Sequence, residues 1–272
     1  MLRAFILGVC LLASVPAWAG GVYTVGVVPQ YEPRKLASIW LPLLKELEQR
    51  TGLKFKLQGV SSIPEFESRF AEGAFDFAYM NPYHAVVAHQ KQGYEPLVRD
   101  GGRSLFGILV VRNDLPIDDI KALDGEEVAF PSPNALGATL LMRAELDRLH
   151  DVKVKPRYVQ THSSVYMHVV LGETKAGGGV MGTLNSQSRE IQDQLRILHK
   201  TQAMPPHPLT AHPRVPVEIR ERVRSALMAM AAEEAGRLLL AGVPFLRLAP
   251  TDYTEYGPLA DWGLEKYYVV GE

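Results

Sequence analysis

The stretch FDFAYMNPYHAVVAHQKQ, residues 75–92, changes from the pattern of a strand to that of a helix within two residues. Its first part, FDFAYM, is aromatic and apolar, which is typical of a buried strand. The proline at position 82 then suits the first turn of a helix, and the helical pattern extends to residue 92. Two similar units precede this one, with strands predicted at residues 22–28 and 53–60 and a helix predicted after each. The order β-α-β-α-β is typical of a parallel sheet covered by helices.

The helix predicted after the first strand has one apolar stripe at helical spacing. The stripe consists of Leu36, Ile39, Trp40, Leu43, Leu44 and Leu47. Pro42 lies inside this helix, and we expect a kink or a broken turn there because proline lacks the backbone N–H that the helix needs.

A second strand–helix series begins with the long apolar run at residues 104–111. It continues through residues 127–130, 135–149 and 154–160 to the glycine-rich AGGGVMG at 176–182, which predicts a buried strand that another part of the molecule approaches closely. A proline-rich return at 205–216 leads into a last helix over residues 219–230. Two series with two crossovers predict two lobes. We expect the first to contain residues 20–103 and 205–272, and the second residues 104–204.

The first 19 residues have the features of a secretory signal peptide. Arg3 supplies the positive start, residues 5–15 are apolar, and Ala17-Trp18-Ala19 supplies small residues for cleavage. A lipoprotein anchor at Cys10 is the alternative. Cys10 is the only cysteine, so the mature chain predicted from residue 20 has no disulfide, thiolate nucleophile or cysteine metal ligand. The net charge of −1 argues against a nucleic-acid partner.

Five short motifs in one order resemble a known family. They are WLPLLKELE at residues 40–48, DFAYMNPY at 76–83, the Pro133-Asn134 loop before a helix, His162 before the helix that holds Tyr166, and PRVP at 213–216. With these motifs the chain resembles the periplasmic substrate-binding proteins of the phosphate/phosphite/phosphonate transporter family, a branch of the type II periplasmic binding fold.

The resemblance implies an α/β protein of two lobes, each a mostly parallel sheet flanked by helices, joined by two hinge crossovers. It further implies a periplasmic protein that captures a small anionic or polar ligand, such as a phosphonate or phosphate-like oxyanion, for an ABC importer permease. In relatives, the helix after Pro-Asn opens with Ser/Thr hydroxyls that grip the phosphonyl group. Ala135, Leu136 and Gly137 stand there in this chain, so we expect an altered ligand with a less polar body against Leu136.

Ligands of parallel sheets bind beyond the carboxyl ends of the strands. A helix that begins at such a point also directs free backbone N–H groups and the positive end of its dipole at one spot, which suits an anion. From strand ends, helix starts and the family motifs we predict a ligand site made of Tyr31, Asn81, Tyr83, Asn134, Ala135, Leu136, Gly137, His162 and Ser163. His207 is a weaker candidate, and one of the two serines after His162 is expected to cap the helix there.

Three other functions are weighed against transport. A sensory module would close on a ligand in the same way and signal to a membrane-bound receptor or histidine kinase. A metal site would require Met80, His84, His162 and His207 to converge through tertiary structure, because no histidine pair has the spacing of a zinc helix. Nucleophile-elbow and P-loop motifs are missing from the sequence, so we expect no enzyme and no cofactor. The protein is expected to be a monomer.

Overall fold

Two separate sheets organise the part of the chain that the computed structural model describes, residues 21–243 and 245–269. The predicted signal peptide lies outside these residues. The strands are β1 (Val22–Val27), β2 (Lys54–Gln58), β3 (Phe77–Tyr79), β4 (Glu95–Asp100), β5 (Gly107–Arg112), β6 (Glu127–Phe130), β7 (Lys155–Tyr158), β8 (Ala176–Val180), β9 (Leu195–Lys200), β10 (Leu209–Ala211) and β11 (Leu248–Pro250).

Helices flank both sheets. The α-helices are α1 (Pro33–Thr51), α2 (Ile63–Ala71), α3 (Pro82–Gln92), α4 (Met142–His150), α5 (His162–Val170), α6 (Met181–Asn185), α7 (Arg189–Gln192), α8 (Val217–Ala232) and α9 (Glu234–Gly242). A π-helical segment, Leu136–Leu141, leads into α4, and short 3₁₀ turns occur at Ile120–Leu123, Tyr253–Glu255, Gly257–Trp262 and Leu264–Lys266. We call residues 253–269 the C-terminal segment. Within the described residues, no helix is both long and apolar enough to span a membrane.

The first sheet has the order β11-β4-β10-β3-β1-β2, and the second has the order β7-β6-β8-β5-β9. Only β2-β1-β3 and β7-β6-β8 pair in parallel, and the other neighbours are antiparallel. The predicted fold class is confirmed, but the sheets are mixed rather than mostly parallel. The reason is that β10 and β11 run opposite to the other strands of the first sheet, and β5 runs opposite to the other strands of the second.

The chain passes from one sheet to the other twice, between β4 and β5 and between β9 and β10. The two crossings touch through a bridge between Leu105 and Met204. We call the first sheet with its helices lobe 1 and the second lobe 2. The C-terminal segment packs on α3 of lobe 1. The lobe boundaries at residues 103 and 204 stay a prediction.

Helix α1 continues through Pro42 without a broken turn, contrary to that alternative from the sequence. Pro42 lies on the exposed face, where water can hydrogen-bond the carbonyl that loses its partner. On the opposite face Trp40, Leu43 and Leu44 are buried in the core of lobe 1. Their burial, worth about 1.5–3 kcal/mol for a large apolar side chain, offsets the missing hydrogen bond.

Close packing explains the glycine-rich strand β8. A Cβ on Gly178 would lie 2.0 Å from the carbonyl oxygen of Ala138, and one on Gly179 would lie 2.2 Å from the hydroxyl of Tyr166. The strand therefore allows the π-helical segment and α5 to lie directly against it. It ends at Val180, before the predicted residue 182, because α6 begins at Met181.

Candidate functional site

A small cavity lies between the two lobes, where the carboxyl ends of the parallel strands meet. Its volume is about 30 Å³. It is lined by Val28, Pro29, Gln30, Ile63, Asn81, Leu105, Pro131, Ala135, Leu136, Gly137, Ala138, Gln160, Thr161, His162, Val180 and His207. We call it the central cavity. Larger cavities of about 510 and 370 Å³ adjoin it, and both include Gln30 and Tyr31.

The first turn of the π-helical segment forms one wall of the central cavity. The N–H groups of Thr139 and Leu140 bond to the carbonyl oxygen of Ala135 at 2.7 and 3.2 Å. The N–H groups before Thr139 therefore have no acceptor within the helix and are directed towards its N-terminus. This geometry favours a negatively charged or strongly polar ligand atom.

The lack of a side chain on Gly107 of β5 allows this turn to take its position. The turn lies so close to β5 that a Cβ on Gly107 would be only 1.9 Å from the carbonyl oxygen of Gly137. Two glycines thus bring the wall of the cavity against the first strand after the crossing. π-Helical turns are rare and are frequent at functional sites, which agrees with the position of this one.

His162 faces the central cavity with a buried, unsatisfied nitrogen. No hydrogen-bond partner of its Nδ1 occurs among the described residues, although the residue is only 9% exposed. Burial lowers the pKa of His162 to about 4, so the ring is neutral at pH 7. Thr161 caps α5 by accepting from the N–H of Ser164 at 3.0 Å. The predicted serine cap was wrong, because the helix begins at His162, before both serines.

His207 and Gln30 form a second polar pair in the cavity, with 3.0 Å between their Nε2 atoms. An amide nitrogen only donates, so the His207 Nε2 accepts and its ring proton is on Nδ1. The ring stacks on Tyr79 at a centroid distance of 5.5 Å. Burial, with smaller contributions from His84 and His162, lowers the pKa of His207 to about 3. The side-chain oxygen of Gln30, Oε1, takes no part in this pair and is available to a ligand.

Asn81 lines the cavity and also caps α3, since its Oδ1 accepts from the N–H of His84 at 2.7 Å. Asn134 does not line the cavity. Its side chain donates to Glu67 and to the carbonyl oxygen of Val269, and it accepts from the N–H of Val269. Its predicted role as a ligand contact has no support in this geometry, because its amide is already occupied by protein partners.

Three other predicted residues lie outside the central cavity. Tyr83 is buried against Tyr268, with ring centroids 5.6 Å apart. Ser163 is exposed and accepts from Gln187 at 3.2 Å. Tyr31 lines both adjoining cavities, and the Nζ of Lys35 lies 4.0 Å from the centroid of its ring.

Five of the nine residues predicted for the ligand site line this cavity, namely Asn81, Ala135, Leu136, Gly137 and His162, and so does the weaker candidate His207. Sequence reasoning missed Gln30, Gln160 and Thr161. Gln30 lies at a strand end that the sequence did indicate, and only its neighbour Tyr31 was chosen. Gln160 has φ +72°, a conformation uncommon outside glycine that can mark functional sites. No feature of the sequence indicates that conformation.

The lining of the central cavity includes no Lys, Arg, Asp or Glu. With both histidines neutral, a ligand there meets amide, imidazole and hydroxyl groups and a helix N-terminus. In the described part of the chain no group of three or more His, Cys, Asp or Glu could hold a metal ion. His84 instead bonds Glu67 at 2.8 Å. The metal alternative therefore gains no support here.

The chain is similar in fold to several solved structures. A binding-protein component of an ABC phosphonate transporter from Pseudomonas aeruginosa has a TM-score of 0.80 at 18% identity, covering 91% of this chain and 87% of that one. PhnD1 from Prochlorococcus marinus, in complex with methylphosphonate, has a TM-score of 0.80 at 16% identity and coverages of 91% and 99%. XAC2383 from Xanthomonas citri, bound to ATP, has a TM-score of 0.74 at 19% identity and coverages of 90% and 98%.

These identities show the fold alone. No curated protein sequence matches the chain significantly. A family model described as the periplasmic substrate-binding protein of the phosphonate ABC transporter does match it, over residues 25–256. Because this match covers most of the sequence, the chain belongs to the family of phosphonate ABC-transporter periplasmic substrate-binding proteins.

Proposed function

We propose that the protein captures a small solute with an anionic or strongly polar head group in the central cavity and delivers it to an ABC importer. One observation carries the proposal: the N-terminal turn at Ala135–Gly137 and the unsatisfied Nδ1 of His162 line the same cavity. A buried polar atom without a partner costs about 1–3 kcal/mol, and a ligand that bonds to it recovers that energy.

The head group is bound by neutral groups and by a helix dipole. A helix N-terminus stabilises a negative charge by about 0.3–1 kcal/mol, and by up to about 2 kcal/mol when partly buried. Without a basic residue in the lining, two full negative charges would be poorly balanced. We therefore expect a monoanion, or a neutral polar group, in preference to a dianion.

The body of the solute lies against apolar side chains. Leu136, Leu105 and Val180 contribute the apolar part of the lining. In relatives the first turn of this helix carries Ser or Thr hydroxyls at the positions of Ala135 and Leu136. Their absence in this chain lowers the affinity for a bare oxyanion. An organic phosphonate or a small carboxylic acid fits this environment better than inorganic phosphate.

Binding requires the lobes to separate and close again about the two crossings. The central cavity of about 30 Å³ has room for little more than one water molecule, whereas sites for organic ligands usually measure about 300–1,000 Å³. Separation would merge it with the adjoining cavities on either side. Hinge closure of this kind is a common binding mechanism of two-lobed proteins.

Calorimetry of the purified protein with methylphosphonate tests the proposal, since that compound is bound in the solved PhnD1 structure. Phosphate, acetate and Zn²⁺ serve as comparison ligands. We expect His162→Ala to weaken methylphosphonate binding at least about tenfold, because it removes a buried hydrogen bond. Ser163→Ala is the matched control, since the neighbouring Ser163 is exposed and faces Gln187. Equal affinities for wild type and His162→Ala would refute the site.

The periplasmic location of the mature form is part of the proposal. We expect cleavage after Ala19, which N-terminal sequencing of material purified from the periplasm checks. A lipid on Cys10 would contradict it. We also propose that the protein acts as a monomer, which light scattering of the purified protein tests. Uptake by cells that contain or lack the importer separates transport from the alternative role as a sensor.

A further inference from the structure

Asn134 lies at the junction of the two lobes and is 2% exposed. Its Nδ2 donates to Glu67 Oε2 at 2.7 Å and to the carbonyl oxygen of Val269 at 2.6 Å. Its Oδ1 accepts from the N–H of Val269 at 2.9 Å, and its carbonyl oxygen accepts from Asn81 at 3.3 Å. Four hydrogen bonds thus connect one residue of lobe 2 to Glu67 and Asn81 of lobe 1 and to Val269 of the C-terminal segment.

The partner of Asn134 in lobe 1 is itself fixed. Glu67 is 4% exposed, and its second oxygen lies 2.8 Å from His84 Nε2. Both oxygens of a buried carboxylate are therefore satisfied, one by α3 and one by the other lobe. Separation of the lobes would leave this buried carboxylate with one hydrogen-bond partner fewer. Because that loss is unfavourable, the Glu67 carboxylate favours the state in which Asn134 is docked.

The C-terminal segment also connects the two lobes. Lys266 and Tyr267 lie 2.7 and 2.6 Å from Asp147 of α4. The guanidinium of Arg148, also on α4, donates to the carbonyl oxygen of Trp262. A segment that packs on lobe 1 thus holds α4 of lobe 2 as well. Val269, the last described residue of this segment, extends its contact with lobe 2 to Asn134.

We propose that Asn134 is a positioning residue that latches the closed cleft by docking between Glu67 and Val269. The inference rests on the proposed function, because it assumes that the lobes open and close. All the partners are protein groups, so the latch forms with or without a solute. Asn134 also directly precedes Ala135, and its docking therefore fixes the turn that binds the head group.

A distance between two spin labels reports the latch directly. Ser61→Cys and Tyr158→Cys carry the labels, since the two residues line one adjoining cavity and belong to different lobes, Ser61 after β2 and Tyr158 in β7. The mature chain expected from residue 20 has no native cysteine, so the labels attach only at these two positions. We expect Asn134→Ala to lengthen or broaden the distance distribution in the absence of added solute. Asn113→Ala is the matched control, because Asn113 is an exposed asparagine of lobe 2 whose side chain bonds to Asp193.

Val269→Pro is a second variant that leaves Asn134 in place. Proline removes the N–H that donates to Asn134 Oδ1, and Val269 is 48% exposed, so folding is little affected. We expect the same change in distance as for Asn134→Ala, but smaller.

The dissociation rate of methylphosphonate is the functional readout. Loss of several buried hydrogen bonds should raise it at least about tenfold in Asn134→Ala, because the latch breaks before the solute leaves. A residue important only for stability would lower the unfolding midpoint without changing the label distance or this rate. Unchanged distances in both latch variants would overturn the inference. If methylphosphonate does not bind to wild type, that result counts against the proposed function, and the distances still decide the latch.

Discussion

Lowering the pH from 7 to 5 should destabilise the protein through His162. Its folded-state pKa of about 4 lies below the ordinary value of 6.5, because burial disfavours the charged ring. As the pH falls, the unfolded chain therefore binds the proton first. The stability contributed by the neutral ring is fully present above pH 6.5 and is lost as the pH falls towards 4.

The size of the effect follows from these two values. Each unit of difference between folded and unfolded pKa corresponds to about 1.36 kcal/mol. Between pH 7 and 5 the unfolded state gains most of one proton and the folded state almost none, so His162 alone should cost about 2 kcal/mol. His207 acts in the same direction, since burial lowers its pKa to about 3.

Urea unfolding at both pH values measures this loss. We expect the loss to be about 2 kcal/mol smaller in His162→Gln, because glutamine does not titrate. His150→Gln is the control, since His150 lies at the end of α4 and does not line the cavity. The comparison uses the change with pH within each variant, so a general loss of stability does not affect it. Equal losses in wild type and His162→Gln would show that the ring is not buried as a neutral group.

Three further changes test the site and its support. Burial alone would raise the pKa of Asp76, but hydrogen bonds, the largest from the backbone of Thr24, hold that pKa below its ordinary value. Asp76→Asn should therefore lower the free energy of unfolding by about 2 kcal/mol, which urea unfolding measures, and an unchanged midpoint would contradict this. Gly107→Ala places a Cβ 1.9 Å from the carbonyl oxygen of Gly137. We expect it to lower stability by about 3 kcal/mol and to weaken methylphosphonate binding, and calorimetry showing wild-type affinity would exclude the proposed placement of the turn. Ala135→Ser returns a hydroxyl to the first turn and should strengthen methylphosphonate binding about tenfold in the same assay, whereas a weaker complex would mean that the head group binds elsewhere.

Most of the fold could be predicted because periodicity is a local property of the sequence. The strand at residues 127–130 and the helix at 82–92 were placed correctly to the residue. Strand β4, with the sequence EPLVRD, was missed because its proline and its charged residues at both ends are not typical of a buried strand. The antiparallel return of β10 was also missed, because strand order depends on contacts between distant parts of the chain.

The site was only partly predictable for the same reason. Strand ends and helix starts indicated Asn81, the turn after Asn134, and His162, since these positions follow from the parallel arrangement. Asn134 itself belongs to a contact between the lobes. Its partner Val269 is 135 positions away, and no local pattern indicates such a pairing. The positive φ of Gln160 likewise follows from packing, since glutamine has no preference for that conformation.

The position of β10 also constrains the order in which the chain can fold. It lies between β3 and β4 in the middle of the first sheet, yet it follows the whole second sheet in sequence. During synthesis from the N-terminus, β1, β2 and β3 can pair as soon as they are made. The edges of β3 and β4 that pair with β10 have no hydrogen-bond partner until residues 209–211 have been made. The second sheet needs no such delay, because all its strands lie between residues 107 and 200. Lobe 2 should therefore form first, while lobe 1 exposes unpaired strand edges, which makes the half-folded chain prone to aggregate until its C-terminal part arrives.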